Sequence, residues 1–143
     1  MEKNYHDLHE GKIFMGGAAD VEAMEKNEGI EVIVDLRGEA VACAFPESTA
    51  RWVQIPLGDN SPESQDLLFK RAIDEVVEAY RSDKKVAFHC GGGKGRTGTV
   101  AAGTLLALGI AHDIDEAETK AKHIRSVIDI KPVQKEALMK IFK

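Results

Sequence analysis

Residues 86–98 read Val-Ala-Phe-His-Cys-Gly-Gly-Gly-Lys-Gly-Arg-Thr-Gly, and they give the strongest structural signal in the chain. Its first three residues are apolar and predict a short buried strand that runs into Cys90. A loop with few side chains follows, and residues 97–108 then predict a helix in the middle of the core, apolar on almost every side and ended by Gly109. A strand, a tight glycine loop and a helix in this order are typical of an anion-binding site in an α/β protein.

The glycine loop predicts a phosphate site with a reactive cysteine. Its backbone N–H groups can turn towards one point, where the positive end of the helix adds to their field. A cysteine at the start of the loop feels these amides and the Arg96 guanidinium, which lower its pKa and give a nucleophilic thiolate. The planar fork of Arg96 can hold two phosphate oxygens, and Thr97 can donate its hydroxyl to the sulfur. The predicted phosphate-binding residues are Gly91, Gly92, Gly93, Lys94, Gly95 and Arg96.

The rest of the chain alternates strands and helices before Cys90 and is helical after it. Strands are predicted at 12–15, 31–36, 51–56 and 86–88, and helices at 18–27, 61–82, 97–108 and twice within 115–143. In the second helix Ser61 would be the cap and Pro62 the first helical residue, with an apolar face that includes Leu67. Residues 39–48 are predicted to form a loop. This pattern indicates an α/β domain whose sheet is flanked by helices.

Length and composition exclude several classes of protein. A chain of 143 residues with 43% hydrophobic residues suits one domain over 1–143, with about 1–10 as a flexible N-terminal segment. Nothing in it predicts a membrane helix, a signal peptide or a disulfide framework, so we expect a cytoplasmic monomer. The net charge of −5 disfavours nucleic acid as a partner, because nucleic-acid binding needs a basic surface.

The sequence His-Cys, five residues and then Arg-Thr resembles the signature of the protein tyrosine phosphatase superfamily. The part Gly-Lys-Gly-Arg-Thr-Gly, residues 93–98, is similar to the variant found in dual-specificity phosphatases, including the tumour-suppressor phosphoinositide 3-phosphatase. The resemblance covers about residues 10–143 and implies the compact fold of that family, with a central, mostly parallel sheet and an all-helical C-terminal part. It also implies hydrolysis of phosphate monoesters through a phosphocysteine, with Cys90 as nucleophile and without metal or cofactor.

The resemblance implies further site residues by position. An aspartate upstream serves the family as general acid, and Ile55-Pro-Leu-Gly-Asp-Asn is similar to its loop, which makes Asp59 the candidate; Asp66 is the nearest competitor. Pro132-Val-Gln134 is similar to the late loop whose glutamine places the hydrolytic water. His89 is expected to be a buried residue that orders the loop, and Lys94 is either solvated or attracts a second phosphate.

The implied substrate is a phosphorylated protein, phosphotyrosine first, or a small phosphorylated molecule. A phosphoinositide or inositol phosphate is the alternative, which Lys94 favours; Gly91 disfavours it, because the lipid phosphatase has a second lysine there. A catalytically silent module that only binds phosphorylated partners is a second alternative. The presence of the thiol disfavours it.

Four residues outside the loop carry weaker hypotheses. Cys43 could form a reversible disulfide with Cys90, but we expect a small buried residue. His6 and His9 have a metal-ligand spacing without acidic or cysteine partners, so we interpret them as surface residues. Arg37 could be an ion-pair partner or a contact at the rim of the pocket.

Three other enzyme classes use similar loops, and the sequence disfavours each. The glycines at 93–98 spell G-x-G-x-x-G, but no strand ending in an acid follows, as a dinucleotide-binding fold requires. A nucleoside-triphosphate loop needs serine or threonine after its lysine, whereas Lys94 precedes a glycine. A sulfurtransferase has less need of an upstream acid and usually a shorter loop.

Overall fold

The computed structural model describes residues 4–58 and 64–142. Within these residues one sheet is formed by five strands: β1 (His6–His9), β2 (Ile13–Gly17), β3 (Val32–Asp35), β4 (Arg51–Gln54) and β5 (Val86–Cys90). The helices are α1 (Val21–Glu28), preceded by a 3₁₀ turn at Ala18–Asp20, then α2 (Gln65–Arg81), α3 (Gly95–Ala107), α4 (Ile114–Ile124) and α5 (Pro132–Ile141). None of the helices in this part of the chain is long and apolar enough to cross a membrane.

The sheet has the strand order β1-β2-β5-β3-β4, and only the β1–β2 pair is antiparallel. Side chains alternate between its two faces, as they do in any pleated strand. Phe14, Ile33 and Ala87 point to the face that α1 covers. Their neighbours, such as Met15 and Phe88, belong to the larger core with the other four helices. The mostly parallel sheet with helices on both faces confirms the predicted α/β fold.

Helix α3 lies in the middle of the larger core and packs against α2, α4 and α5. Nine of its residues are buried, which explains why its sequence is apolar on almost every side. Because α3 follows β5 directly, the buried helix fixes the loop that joins them. Its last turn ends beside Gly109, whose φ of +75° is the left-handed conformation that glycine favours.

The structure differs from the sequence-based prediction in two places. The sequence predicted no strand before residue 12, but His6–His9 forms β1; its one fully buried residue, Leu8, is too weak a signal for an edge strand. Helix α2 begins at Gln65 after Ser64, and not after Ser61, which lies outside the described residues. Both serines are suitable caps. Leu67 is 55% exposed and, contrary to the prediction, is not part of the apolar face of α2.

Candidate active site

The loop 91–94 lies at the carboxyl end of β5, in the middle of the sheet. Strands β2 and β3 run parallel to β5 on its two sides, so the segments that follow all three strands meet at this edge. The amide of Ala18, just after β2, donates to the carbonyl of Gly91 at 3.0 Å. The crevice at the carboxyl ends of parallel strands is where open α/β proteins bind ligands.

Cys90 is the last residue of β5, and its side chain is almost completely buried, at 3% exposure. The amide of Gly93 donates to its Sγ at 3.2 Å, and the Thr97 hydroxyl lies 3.1 Å from Sγ and 3.2 Å from the carbonyl oxygen of Gly16. Burial alone would raise the pKa of the thiol, but the hydrogen bonds from Thr97 and Gly93 and the charge of Arg96 outweigh it and hold the pKa of Cys90 below its ordinary value. The site therefore favours the thiolate.

Gly93 occupies a position that admits no other residue. Its φ is +72°, and a Cβ there would lie 2.5 Å from Nη2 of Arg125 and 2.8 Å from the carbonyl carbon of Gly16. The loop is therefore clamped between the end of β2 and a buried arginine. Gly91 and Gly92 are exposed instead, which leaves the outer side of the loop open to a ligand.

Arg96 is the second residue of α3, and its guanidinium is held along one edge. Its Nη1 donates to Oε1 of Glu39 at 2.9 Å and to the carbonyl oxygens of Leu36 and Leu57 at 3.2 and 3.1 Å. Its Nη2 donates to Oε2 of Glu39 at 3.1 Å. The hydrogen bond from Arg96 lowers the pKa of the Glu39 carboxyl. This pairing fixes the guanidinium and leaves its Nε without a hydrogen-bond partner among the described residues.

His89 belongs to a buried polar cluster behind the loop. Its Nδ1 lies 3.1 Å from the carbonyl of Cys90, and its Nε2 lies 3.8 Å from Oδ1 of Asp35. Asp35 is fully buried, ion-paired with Arg37 and hydrogen-bonded by the Trp52 indole at 3.0 Å. Burial lowers the pKa of His89, so the imidazole is neutral. Arg37 is thus an ion-pair partner, one of the two roles considered for it.

Cys90 and Arg96 line a cavity of about 330 Å³. Its other lining residues are Gly92, Lys94, Gly95, Asp129, Lys131 and Gln134. The side-chain amide of Gln134 lies 3.1 Å from the place where a Cβ of Gly95 would be. Its Oε1 accepts a hydrogen bond from the backbone amide of Lys131 at 2.9 Å. The first turn of α5 therefore brings Gln134 to the same cavity as the cysteine.

The structure does not test the predicted general acid, because Asp59 lies outside the described residues. Leu57, two positions earlier, accepts a hydrogen bond from Arg96 through its carbonyl oxygen. The competitor Asp66 lies in the first turn of α2 and does not line the cavity. Cys43 is a free thiol that is only half-buried, because the loop that carries it crosses the surface, so it is not the buried residue predicted.

Two residues at the site were missed by the sequence analysis. Glu39 lies in the segment predicted only as a loop, and its partner Arg96 is 57 positions away. Arg125 follows α4, is 5% exposed and donates from Nε to the carbonyl of Gly93 at 2.9 Å. The sequence gives only one sign of this buried arginine, which is its place between two helices.

Residues 18–136 match the family model described as the DSP-PTPase phosphatase domain of Swiss Army Knife proteins. This range contains every residue that lines the cavity with Cys90. The chain belongs to this family of dual-specificity phosphatase domains. No curated protein sequence matches this chain.

Several solved structures share its fold. Human DUSP28 is 17% identical with a TM-score of 0.80, over 98% of this chain and 93% of that chain. DUSP15 is 13% identical with a TM-score of 0.82, over 98% and 88%. The human tyrosine phosphatase-like serine/threonine/tyrosine-interacting protein is 15% identical with a TM-score of 0.78, over 98% and 96%. At these identities the likeness concerns the fold, which confirms the predicted architecture.

Membership of the family establishes the class of reaction. The phosphatase domain is a hydrolase of the cysteine-dependent dual-specificity type, as the resemblance implied. The alternatives, an inositide phosphatase and a silent binding module, are not favoured. The family does not by itself assign a role to each side chain.

Proposed function

We propose that Cys90, Arg96 and Asp59 hydrolyse phosphate monoesters through a phosphocysteine intermediate, with phosphotyrosine as the first substrate. The observation that carries this proposal is the setting of Cys90, whose Sγ accepts a hydrogen bond from the Gly93 amide in a cavity that Arg96 also lines. A thiol is a nucleophile only as the thiolate, and the lowered pKa of Cys90 favours that form.

In the first step the Cys90 thiolate attacks phosphorus, and the bond from phosphorus to the leaving oxygen breaks. Asp59 gives its proton to that oxygen, so the leaving group departs as an alcohol or phenol. In the second step water attacks the phosphocysteine while Asp59 takes a proton back, which releases phosphate and restores the thiolate. Gln134, in the same cavity, positions this water.

Arg96 and the loop amides stabilise the charge on the transferring phosphoryl group. Because Glu39 and two carbonyls hold one edge of the guanidinium, its orientation is fixed before substrate binds. The Nε and the second hydrogen of Nη2 then remain for two phosphate oxygens. Preorganised donors of this kind supply a large part of the stabilisation of a transition state.

The cavity suits a phosphorylated side chain. Its volume of about 330 Å³ is at the small end of ligand pockets, and Cys90 is only 3% exposed. A long substrate such as phosphotyrosine reaches a buried sulfur more easily than phosphoserine. The same proposal treats residues 1–143 as one monomeric domain in the cytoplasm, where the two free thiols would stay reduced.

The test is phosphate release in excess EDTA from three substrates of rising leaving-group pKa: an activated aryl phosphate, a phosphotyrosine peptide and a phosphoserine peptide. We expect the wild type to be unaffected by EDTA and to prefer phosphotyrosine over phosphoserine. Asp59→Asn should lower kcat/KM, which reports the first step, by about a hundredfold or more on phosphotyrosine but only a few fold on the activated aryl phosphate, because only the former needs protonation.

The matched control is Asp66→Asn, which should leave all three rates close to those of the wild type. Equal losses on all three substrates in Asp59→Asn would remove the acid role from Asp59. Loss of activity in EDTA that added metal restores would contradict the mechanism as a whole.

A further inference from the structure

A buried arginine connects the edge strand β1 to the phosphate loop. On one side of the Arg125 guanidinium, Nε donates to the carbonyl of Gly93 at 2.9 Å. On the other side, Nη1 donates to the carbonyl of Asn4 and lies 3.0 Å from Nδ1 of His6. The guanidinium is thus a bridge, and both of its ends are fixed.

The contact with His6 requires an uncharged imidazole. An arginine can only donate, so Nδ1 of His6 has to accept, which it does in the neutral form with the proton on Nε2. Protonation of His6 would remove the acceptor and place a second positive charge beside Arg125. Burial and the Arg125 charge both lower the pKa of His6, and the neutral form therefore prevails at neutral pH.

We propose that His6 and Arg125 are positioning residues for the nucleophile: neutral His6 holds Arg125, Arg125 holds Gly93, and the Gly93 amide holds the Cys90 thiolate. The last contact is the 3.2 Å hydrogen bond to Sγ. This inference rests on the proposed role of Cys90. It extends the site beyond the matched residues 18–136, because His6 precedes them.

The charges around His6 allow this role. Among the described residues, Arg125 faces it from the end of α4, and Asp20 of the 3₁₀ turn raises its pKa, but by less than burial and Arg125 lower it. Asp7 of β1 and Glu28 of α1 line the same surface cavity as His6. Strand β2 contributes no charge, since Ile13–Gly17 contains none.

Two substitutions separate the acceptor from the rest of the side chain. His6→Asn keeps an oxygen acceptor near the place of Nδ1 but cannot titrate, whereas His6→Leu has no acceptor. The thiolate of Cys90 is measured by its rate of alkylation with iodoacetamide between pH 4 and pH 8, and kcat/KM by turnover of an aryl phosphate. His112→Leu is the control, because His112 is an exposed histidine that does not line the cavity with Cys90.

We expect His6→Leu to raise the apparent pKa of Cys90 by about one unit and to lower kcat/KM about tenfold. His6→Asn should match the wild type above about pH 6.5, the ordinary pKa of histidine. Because the pKa of His6 lies below that value, the two proteins should differ only at lower pH. There the wild type should lose more thiolate than His6→Asn as His6 becomes charged, since in His6→Asn only Cys90 itself titrates. His112→Leu should behave as the wild type at every pH.

The outcomes are decisive even if one variant is unstable. Identical alkylation profiles for the wild type, His6→Asn and His6→Leu would overturn the inference, and so would equal losses in the two variants. If His6→Leu does not fold, the comparison of the wild type with His6→Asn below pH 6.5 decides alone. If the alkylation profiles are as predicted but the wild type turns over no substrate, the proposed function is wrong while the positioning role still holds.

Discussion

Replacing Cys90 by serine is expected to lower the turnover of every phosphate monoester by at least about ten thousandfold while inorganic phosphate still binds. A hydroxyl has a far higher pKa than the thiol, so no nucleophilic anion forms near neutral pH. The amides of the loop and the guanidinium of Arg96 remain, and these groups bind phosphate. The measurement is phosphate release together with calorimetric titration of inorganic phosphate.

The matched control for this variant is Cys43→Ser. Cys43 is also a free thiol, but it is half-buried on a surface loop and does not line the cavity. Its substitution should leave turnover within about twofold of the wild type, as is usual for a surface position. If Cys90→Ser retained measurable turnover, or Cys43→Ser lost it, the nucleophile would be another residue.

Replacing Arg96 by lysine is expected to reduce kcat/KM about a thousandfold and to weaken phosphate binding. Lysine keeps the positive charge but cannot present two parallel N–H groups to two phosphate oxygens. It also loses the paired hydrogen bonds to the two carboxylate oxygens of Glu39, so the remaining charge is not oriented. Removal of one preorganised donor from such a site typically costs about a hundredfold to a thousandfold.

Arg51→Lys is a suitable control for that experiment. Arg51 begins β4, is exposed and does not line the cavity. Its substitution should change neither turnover nor phosphate affinity. A loss of less than tenfold in Arg96→Lys would show that charge alone serves at this position, and the argument from the fixed guanidinium would then be wrong.

Much of the fold could be predicted because its signals are local. The strand before Cys90, the glycine loop and the apolar helix after it are contiguous in sequence, and the predicted ends of the strand and the helix lie within two residues of the observed ones. The same contiguity identifies Cys90, Thr97 and Arg96 as neighbours, since a tight loop returns the chain to its start. Gln134 came from the resemblance to the family.

The missed features depend on contacts that sequence patterns do not show. Glu39 meets Arg96 across 57 positions, and Arg125 meets Gly93 across 32. Neither residue stands out, because an acid in a loop and a cation at the end of a helix are usually exposed. The edge strand β1 was missed because it is polar and pairs with β2 on one side only. Such a strand shows little alternation of apolar residues in its sequence.

The most direct measurement is acid quenching of the wild type during turnover of an activated aryl phosphate, followed by peptide mapping by mass spectrometry. The mechanism predicts one phosphoryl group on the peptide that contains Cys90, present during turnover, lost as substrate is consumed and absent from Cys90→Ser. Asp59→Asn should retain it longer, because hydrolysis of the phosphocysteine then lacks its base. Continued turnover with no phosphoryl group on Cys90, or with the group on another residue, would contradict the mechanism.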